Sequence, residues 1–295
     1  MTARRPRKPR PFLLPLPTII LMLALLVGII YLWRHLSPDS SKAVAATTES
    51  LPDPSLTPGP MTDLGDLSDV ATSPSLPEIQ KRYSAFNLSF NPMLHIPNWV
   101  AWTLTAEHAQ ATNPRKDNFR PDYDVDGCAT LQDYRKSGYS RGHMAPSADM
   151  KFSPQAMDEA CYLTNVAPQT AAYNSGVWSS IERKCRQWAI ADSVIYIVTG
   201  PIIDGNPIDY IGPSQVYVPR AFFKAVISPY ANPPRGIGFI VPQLGHTGGM
   251  QSATVSIDSI EALTGHDFFS SLPEQLEINI EAQNNFAQWT YPAPK

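Results

Sequence analysis

The chain has 295 residues, which is enough for one large domain or two small ones. Its 23 basic and 26 acidic side chains give a formal net charge of −3, which excludes a uniformly basic nucleic-acid coat but leaves room for a local basic groove. Three cysteines allow at most one internal pair, so a disulfide framework is excluded, and the lack of a Cys-x-x-Cys spacing argues against a zinc knuckle.

The N-terminal segment predicts a membrane anchor. Residues 1–11 form a basic, acid-free N-terminus, and residues 12–34 follow as a transmembrane segment whose uncharged part is long enough to span a bilayer. Tyr31 and Trp33 stand at its far end, where aromatic side chains favour the membrane interface. More cations precede the run than follow it, which predicts a cytoplasmic N-terminus and, in a bacterium, a periplasmic C-terminal domain on the inner membrane.

Two other interpretations of this segment stay open. Ala43-Val44-Ala45 has the small-x-small form of a signal-peptide cleavage site, although it lies well past the apolar run. Cleavage there would release a secreted protein. An Arg-rich, acid-free start also suits mitochondrial targeting, with an anchored inner-membrane form as one version.

Residues 35–77 predict a disordered linker, because they are rich in Pro, Ser and Thr and cannot bury enough apolar surface to offset their ordering entropy. From residue 78 to residue 295 the composition is that of a globular domain. Alternating or continuous apolar runs predict strands at 99–104, 194–200 and 236–241, and a pair of strands at 215–219 and 222–227.

Three helices are predicted between these strands. They lie at 153–161, with Ser153 as N-cap, at 174–190, and at 257–264, where Gly265 closes the helix. Residues 113–127 predict a solvated loop. Its Asp122, Asp124 and Asp126 alternate like a calcium loop but lack the closing Glu. The fold class predicted is α+β with a central, largely antiparallel sheet flanked by helices.

The first motif with chemical content runs from Tyr139 to Pro146. His143 can accept a proton from water near neutral pH, and Arg141 can hold a phosphate in a planar fork. Gly142 between them permits a close approach of backbone or substrate. A single Arg-Gly-His is weak by itself, since a lone histidine is more often a surface or core imidazole.

A second motif strengthens this interpretation. Asn174, Trp178, Glu182 and Arg186 are each four residues apart, which places them on one face of a helix. An amide and a carboxylate are hard oxygen ligands of the kind that suits Mg²⁺. The competing interpretation is an ordinary amphipathic helix with a Glu182–Arg186 ion pair on its wet face.

Together these motifs resemble the DNA/RNA non-specific endonuclease family, the ββα-metal (His-Me finger) nucleases that include endonuclease G, the exo/endonuclease G-like enzymes and the Serratia nuclease. The resemblance covers about residues 90–290. It rests on Ser140-Arg141-Gly142-His143, on Asn165 to Gln169 followed by Asn174, Trp178 and Glu182, and on Ile260 to Phe269. Ser140 stands where the family usually has Asp, as in the exo/endonuclease G-like branch.

The resemblance implies roles residue by residue. His143 is matched to the general base and Asn174 to the side chain that binds Mg²⁺ directly, while Glu182 is matched to a carboxylate that orients metal-bound water. Arg141 and Arg186 are matched to catalytic, substrate-binding cations that hold the phosphate. Asn165 is matched to a residue that positions the histidine region and is grouped with the substrate-binding residues.

The N-terminal segment and the resemblance together predict a membrane-anchored nuclease. It would hydrolyse DNA or RNA with Mg²⁺, or Mn²⁺ in its place, and leave 5′-phosphate and 3′-hydroxyl ends with weak base preference. A homodimer also fits the family. The alternative is an inactive nucleic-acid-binding or interaction module of the same fold. Further cations near the motifs are compatible with a basic groove: Arg115, Lys116, Arg120, Arg135, Lys136, Lys151, Arg183 and Lys184.

Overall fold

The computed structural model describes Leu64, residues 67–114 and residues 117–290. The predicted anchor at 12–34 and most of the predicted linker therefore lie outside the described residues. Within the described ranges, none of the helices combines the length and apolar character that a membrane crossing requires.

Thirteen strands form in the described part of the chain. They are β1 (Val70–Ala71), β2 (Ile79–Arg82), β3 (Asn87–Asn91), β4 (Ile96–Thr105), β5 (Ser140–His143), β6 (Val166–Gln169), β7 (Val194–Pro201), β8 (Asp209–Ile211), β9 (Val216–Val218), β10 (Ala221–Ser228), β11 (Arg235–Pro242), β12 (Thr254–Val255) and β13 (Asp267–Phe268).

The helices of the same ranges are mostly short. They are α1 (Ala106–Gln110), α2 (Leu131–Tyr134), α3 (Pro154–Glu159), α4 (Ala171–Tyr173), a π-turn (Asn174–Trp178), α5 (Ser179–Asp192), α6 (Ile257–Thr264) and α7 (Glu274–Glu281), with 3₁₀ turns at Leu163–Asn165, Met250–Ala253 and Phe286–Trp289. The predicted caps of two helices are confirmed. The Ser153 hydroxyl accepts the N–H of Ala156, and Gly265 ends α6 in the left-handed conformation with φ of 72°.

A seven-stranded antiparallel sheet, in the order β12-β11-β10-β7-β4-β3-β2, forms the centre of the domain. Side chains alternate across its strands, so each face carries its own apolar cluster. On β4, for example, Val100 and Trp102 belong to one cluster and Trp99 and Ala101 to the other. The first cluster also holds residues of β6 and α5, whereas the second holds residues of α6, β13 and α7. The predicted α+β class with a largely antiparallel sheet is confirmed.

The strand pair predicted at 215–219 and 222–227 is wrong in its pairing. Both strands exist, but β9 pairs with β8, and β10 pairs with β7 and β11. Because β10 is apolar on both faces, it occupies an interior position with a neighbour on each side. No edge of β10 is then left for β9.

The end of the predicted linker, residues 67–77, is part of the fold. Leu67 is fully buried, and β1 pairs with β13. The indole N–H of Trp99 donates to Thr72 Oγ1 at 2.7 Å, and the Ser73 N–H donates to His266 Nδ1 at 2.9 Å. The polar composition of this segment concealed two apolar anchors, Leu67 and Val70, which the sheet buries.

The acidic part of the loop at 113–127 is partly buried. Asp122 is almost inaccessible, accepts the Tyr83 hydroxyl at 2.5 Å and lies 3.5 Å from Lys81 Nζ. Its carboxylate is therefore engaged by protein groups. None of Cys128, Cys161 and Cys185 forms a disulfide.

Candidate active site

The site is built on a two-stranded antiparallel ribbon followed by a helix. Strands β5 and β6 pair with Ser140 opposite Gln169 and with His143 opposite Val166. Thr170 then caps α4 by accepting the N–H of Tyr173 at 3.3 Å, and the π-turn and α5 follow directly. The two sequence motifs therefore come together in one β-β-α unit, packed against one face of the central sheet.

One face of β5 presents the two groups singled out in the first motif. Arg141 and His143 are two residues apart, so their side chains leave the strand on the same side. Phe119 contacts both: the Arg141 guanidinium lies 4.4 Å from its ring centre, and the His143 ring lies 4.8 Å from it, centre to centre. The His143 side chain is half-buried, and its Nε2 is 3.3 Å from the Ser147 hydroxyl.

The opposite face of β5 requires glycine at position 142. A Cβ at this position would lie 2.1 Å from Cδ of Gln169, which is impossible without displacing that buried side chain. Gln169 is itself fully buried, and its amide O and N have no hydrogen-bond partner among the described residues. The glycine thus lets β5 and β6 lie close enough to aim His143 outward.

Asn165 fixes the backbone that follows His143. Its Oδ1 accepts the N–H of Ala145 at 2.9 Å, and its Nδ2 donates to the carbonyls of Ala145 and Ala160. Its own carbonyl accepts the N–H of Met144 at 2.9 Å. The side chain is fully buried, which supports the positioning role that the resemblance implies for it. Its grouping with the substrate-binding residues stays a prediction.

The helix predicted over 174–190 is not continuous. A π-turn spans Asn174–Trp178, and Gly176 within it is non-helical, with φ of −94° and ψ of −119°. Because a π-turn holds more residues per turn than an α-helix, Asn174 does not lie one α-turn below Trp178, and the predicted four-residue stripe breaks at its first step. Asn174 is half-buried at the start of this turn, and Glu182 is half-buried in the first turn of α5.

Trp178 is a core residue that attaches the helix to the sheet. It is fully buried, and its ring lies 5.4 Å from that of Tyr173 and 5.8 Å from that of Phe222. Lys224 of β10 is also fully buried, with Nζ 4.7 Å from the Trp178 ring and 4.9 Å from the Trp102 ring. Burial lowers the pKa of Lys224, while nearby acidic groups oppose the fall.

Arg186 is held by an acid that the sequence motifs did not single out. Its Nη1 donates to Asp149 Oδ1 at 2.7 Å, and the Trp102 indole N–H donates to Asp149 Oδ2 at 3.2 Å. Asp149 is 1% exposed, and burial raises its pKa although Arg186 opposes the rise. The pair joins α5 to the loop after β5, which gives Arg186 a positioning role in addition to the phosphate contact expected of it.

The cations near the motifs differ in the contacts that they make with the protein. Arg120 donates to Asp158 at 2.6 Å and stacks 4.1 Å from the Tyr162 ring centre. Arg183 donates to the hydroxyls of Ser179 and Ser180 on its own helix, and Arg115 and Lys116 lie outside the described residues. A cleft of about 820 Å³ opens beside β5 and includes the exposed Arg135 and Arg141 in its lining. Its other lining residues are Asp117, Phe119, Leu131, Gln132, Tyr134, Tyr139 and Ser140.

The donor set near the helix fits a hard divalent cation. Asn174 and Glu182 offer an amide and a carboxylate oxygen, as Mg²⁺ and Mn²⁺ prefer. Asn174 lies at the start of the π-turn and Glu182 in the first turn of α5, so the two oxygens come from successive parts of one helical segment. Among the described residues, the one cluster of three or more acidic, His or Cys side chains close enough to share an ion lies elsewhere, on α6 and α7. Water and substrate oxygens would complete the coordination.

With this geometry, the comparison with known proteins is direct. The family model for the DNA/RNA non-specific endonuclease matches residues 68–275. The chain belongs to this family.

The chain is similar to several named nucleases. The mouse protein "Nuclease EXOG, mitochondrial" is 34% identical over 216 residues, covering 67% of this chain and 59% of that protein. The "Mitochondrial nuclease" of Saccharomyces cerevisiae is 34% identical over 220 residues, covering 66% of this chain and 67% of that protein. A crystal structure of the EndoG/EndoGI complex contains a chain that is 26% identical, with a TM-score of 0.62, over 67% of this chain and 88% of that one. This chain spans about three fifths of the mouse relative's length.

Proposed function

We propose that this chain is a metal-dependent, sugar-nonspecific endonuclease that hydrolyses phosphodiester bonds of DNA, RNA or both. The observation that carries the proposal is the β-β-α unit. It places His143 and Arg141 on one face of a strand beside a cleft, followed at once by the turn that bears Asn174. Membership of a nuclease family supports the same activity.

His143 is the general base in this proposal. Its ring is half-buried and supported by Phe119, which limits its rotation, and Ser147 contacts Nε2. A positioned imidazole near neutral pH takes a proton from the attacking water, a step worth about 10²- to 10⁴-fold in rate. Asn165 and Gly142 keep the strand end in place.

Arg141 binds the phosphate and steadies the charge that develops on it. The guanidinium is exposed at the cleft and rests on Phe119, so its fork is orientated before the substrate arrives. Arg186 supports the same region through Asp149. Because contacts of this kind are made to the phosphate backbone of the nucleic acid, the enzyme should show a weak preference among bases.

Asn174 and Glu182 would hold Mg²⁺ or Mn²⁺, with Asn174 as the direct ligand and Glu182 orienting bound water. When bound, the metal supplies Lewis-acid stabilisation of the phosphate and leaving oxygen. The expected products carry 5′-phosphate and 3′-hydroxyl ends.

The anchor and the location form part of the same proposal. In this proposal residues 12–34 anchor the domain in a membrane, and residues 35–63 act as the linker between the anchor and the domain. The names of the mouse and yeast relatives favour the mitochondrial version of this anchor, with the bacterial inner membrane as the other version. A homodimer is proposed from the family resemblance alone.

Cleavage of supercoiled plasmid by the purified chain tests the activity. We expect nicking with Mg²⁺ that EDTA abolishes, and a loss of most activity in Asn174→Ala. A folded wild-type chain that binds DNA and RNA but cleaves neither with Mg²⁺ or Mn²⁺ would favour the inactive binding module. End-labelling of the products checks the 5′-phosphate.

A further inference from the structure

Three carboxylates come together on the sheet face opposite the β-β-α unit. Asp258 and Glu261 are three residues apart on one side of α6, and Glu281 is the last residue of α7. One ligand oxygen from each lies within 4.8 Å of the others. The two helices are fixed there by the second apolar cluster, to which Ile257, Ile260 and Ile280 belong.

Glu281 lacks the partners that a buried carboxylate requires. Its side chain is 5% exposed, and its Oε1 has no hydrogen-bond partner among the described residues. An isolated charge in such a place is costly unless another charge or a metal compensates it. The charged form of the Glu281 carboxyl is therefore the one in the cluster that most clearly requires a cation.

The charged groups around Glu281 increase the free-energy cost of its buried charge. The four charged groups that act on it most strongly are all carboxyls: Asp258, Glu261, Asp267 and Glu277. The segment from residue 257 to residue 290 contains no Lys or Arg. Burial raises the pKa of Glu281 to about 9 and that of Glu261 to about 7. In the described part of the chain, no cation is among the charged groups that act most strongly on Glu281.

We propose that Asp258, Glu261 and Glu281 form a calcium site that joins α6 to α7. Ca²⁺ takes six to eight oxygen ligands at 2.3–2.6 Å, so two oxygens on one ion lie at most about 5 Å apart. The spacing of the three carboxylates falls within this limit. Mg²⁺, with shorter bonds and a preference for water, is less suited to three carboxylates.

The surroundings of the site fit this ion. Glu261 Oε1 accepts the N–H of Phe268 at 2.7 Å, which fixes the orientation of that carboxylate. Asp258 is exposed, so the ion has a path from solvent and water can complete its coordination. Because the second apolar cluster is on the face away from His143 and Asn174, the ion stabilises the domain and takes no part in cleavage.

Calcium titration of the full chain tests the site. The chain is stripped with EDTA, and calcium chloride is added at pH 7.5 while the melting temperature is followed by circular dichroism and binding by calorimetry. All measurements are repeated on Asn174→Ala, which removes the metal ligand proposed for the nuclease site. We expect calcium to raise the melting temperature equally in the wild type and in Asn174→Ala, by the order of 5 °C when calcium is at a hundredfold excess over Kd.

Two variants separate this site from a general salt effect. Glu281→Gln keeps the shape of the side chain and should lose the calcium-dependent rise in melting temperature. In EDTA it should be about as stable as the wild type, because a carboxyl with a pKa of about 9 is mostly uncharged at pH 7.5, as the amide is. Glu274→Gln, an exposed acid at the start of the same helix, should keep the rise. The proposal is overturned by a wild-type chain without binding heat or a shift at millimolar calcium, or by an equal shift in Glu281→Gln.

Discussion

The two faces of the central sheet treat buried charge in opposite ways. On the face of the β-β-α unit, Asp149 is paired with Arg186, and Lys224 lies between two indole rings. On the other face, Glu281 is buried among carboxyls of its own sign. Buried charges that compensate one another hold elements together, as Asp149 joins a loop to α5. Buried charges of one sign leave a place that an ion from solution can fill.

The first face also separates support from chemistry. Asn165 and Asp149 are buried and hydrogen-bonded to protein groups, and Trp178 is buried against aromatic rings. Arg141, in contrast, is open to the cleft, and His143, Asn174 and Glu182 are half-buried. The partly exposed polar groups are thereby held in position by buried groups. None of the described residues that line the cleft beside β5 belongs to the second apolar cluster.

The largest loss of stability is expected on the second face, from removing residues 67–77. A chain that begins at residue 78 lacks Leu67 and Val70 and leaves the Trp99 indole without Thr72. Burial of the two side chains alone is worth about 3–6 kcal/mol. Urea unfolding should show a loss of about 5 kcal/mol relative to a chain that begins at residue 60. If the two chains unfolded in urea with equal midpoints and slopes, residues 67–77 would not contribute to the stability of the domain and would behave as linker.

Breaking the ion pair of the first face should cost nearly as much. Asp149→Ala removes the buried carboxylate that pairs with Arg186 and also acts on Lys224. Removing one partner of a buried pair typically costs about 3–5 kcal/mol. The matched control is Asp158→Ala, which breaks the more exposed pair with Arg120 and should cost less than about 1 kcal/mol. Comparable losses in the two variants would show that Asp149 does not fix α5.

A smaller, pH-dependent effect is expected at His266. Burial lowers the pKa of His266 to about 4, and its Nδ1 accepts the Ser73 N–H. The unfolded chain therefore binds a proton that the folded chain does not between about pH 6.5 and pH 4, so this contribution to stability falls as the pH falls through that window, by up to about 3 kcal/mol.

His266→Asn keeps an acceptor near the position of Nδ1 but cannot titrate. Thermal melts between pH 7 and pH 4 should show a weaker acid sensitivity in this variant than in the wild type. His95→Asn, at a half-buried turn position with φ of 61°, is the matched control and should keep the acid sensitivity of the wild type. An unchanged slope in His266→Asn would locate the acid sensitivity elsewhere.

Much of this architecture could be predicted from local patterns. The buried run at 194–200 and the caps at Ser153 and Gly265 are determined by neighbouring residues, which the sequence displays directly. The partners of β9 could not be predicted in this way, because they depend on which sheet edges other strands have already filled. The π-turn had one local signal, Gly176, but its geometry depends on how Tyr173 and Trp178 pack against Phe222.

The supporting groups of the site were harder to predict than the groups in the two sequence motifs. His143 and Asn174 stand in short motifs, whereas Asp149 meets Arg186 across 37 positions of sequence. Gln243 is a further example, since its Oε1 accepts the N–H of Thr170 at the start of α4 from 73 residues away. Their polar character and their burial together would have singled them out, but burial is known only once the chain has folded.

The most direct test of the proposed mechanism is the rate of plasmid nicking by His143→Ala with Mg²⁺, beside the wild type and His95→Asn. We predict that His143→Ala loses about 10²- to 10⁴-fold in rate while its melting temperature and its affinity for DNA stay close to those of the wild type. His95→Asn should retain its activity. Nicking by His143→Ala at the wild-type rate would contradict the assignment of His143 as the general base.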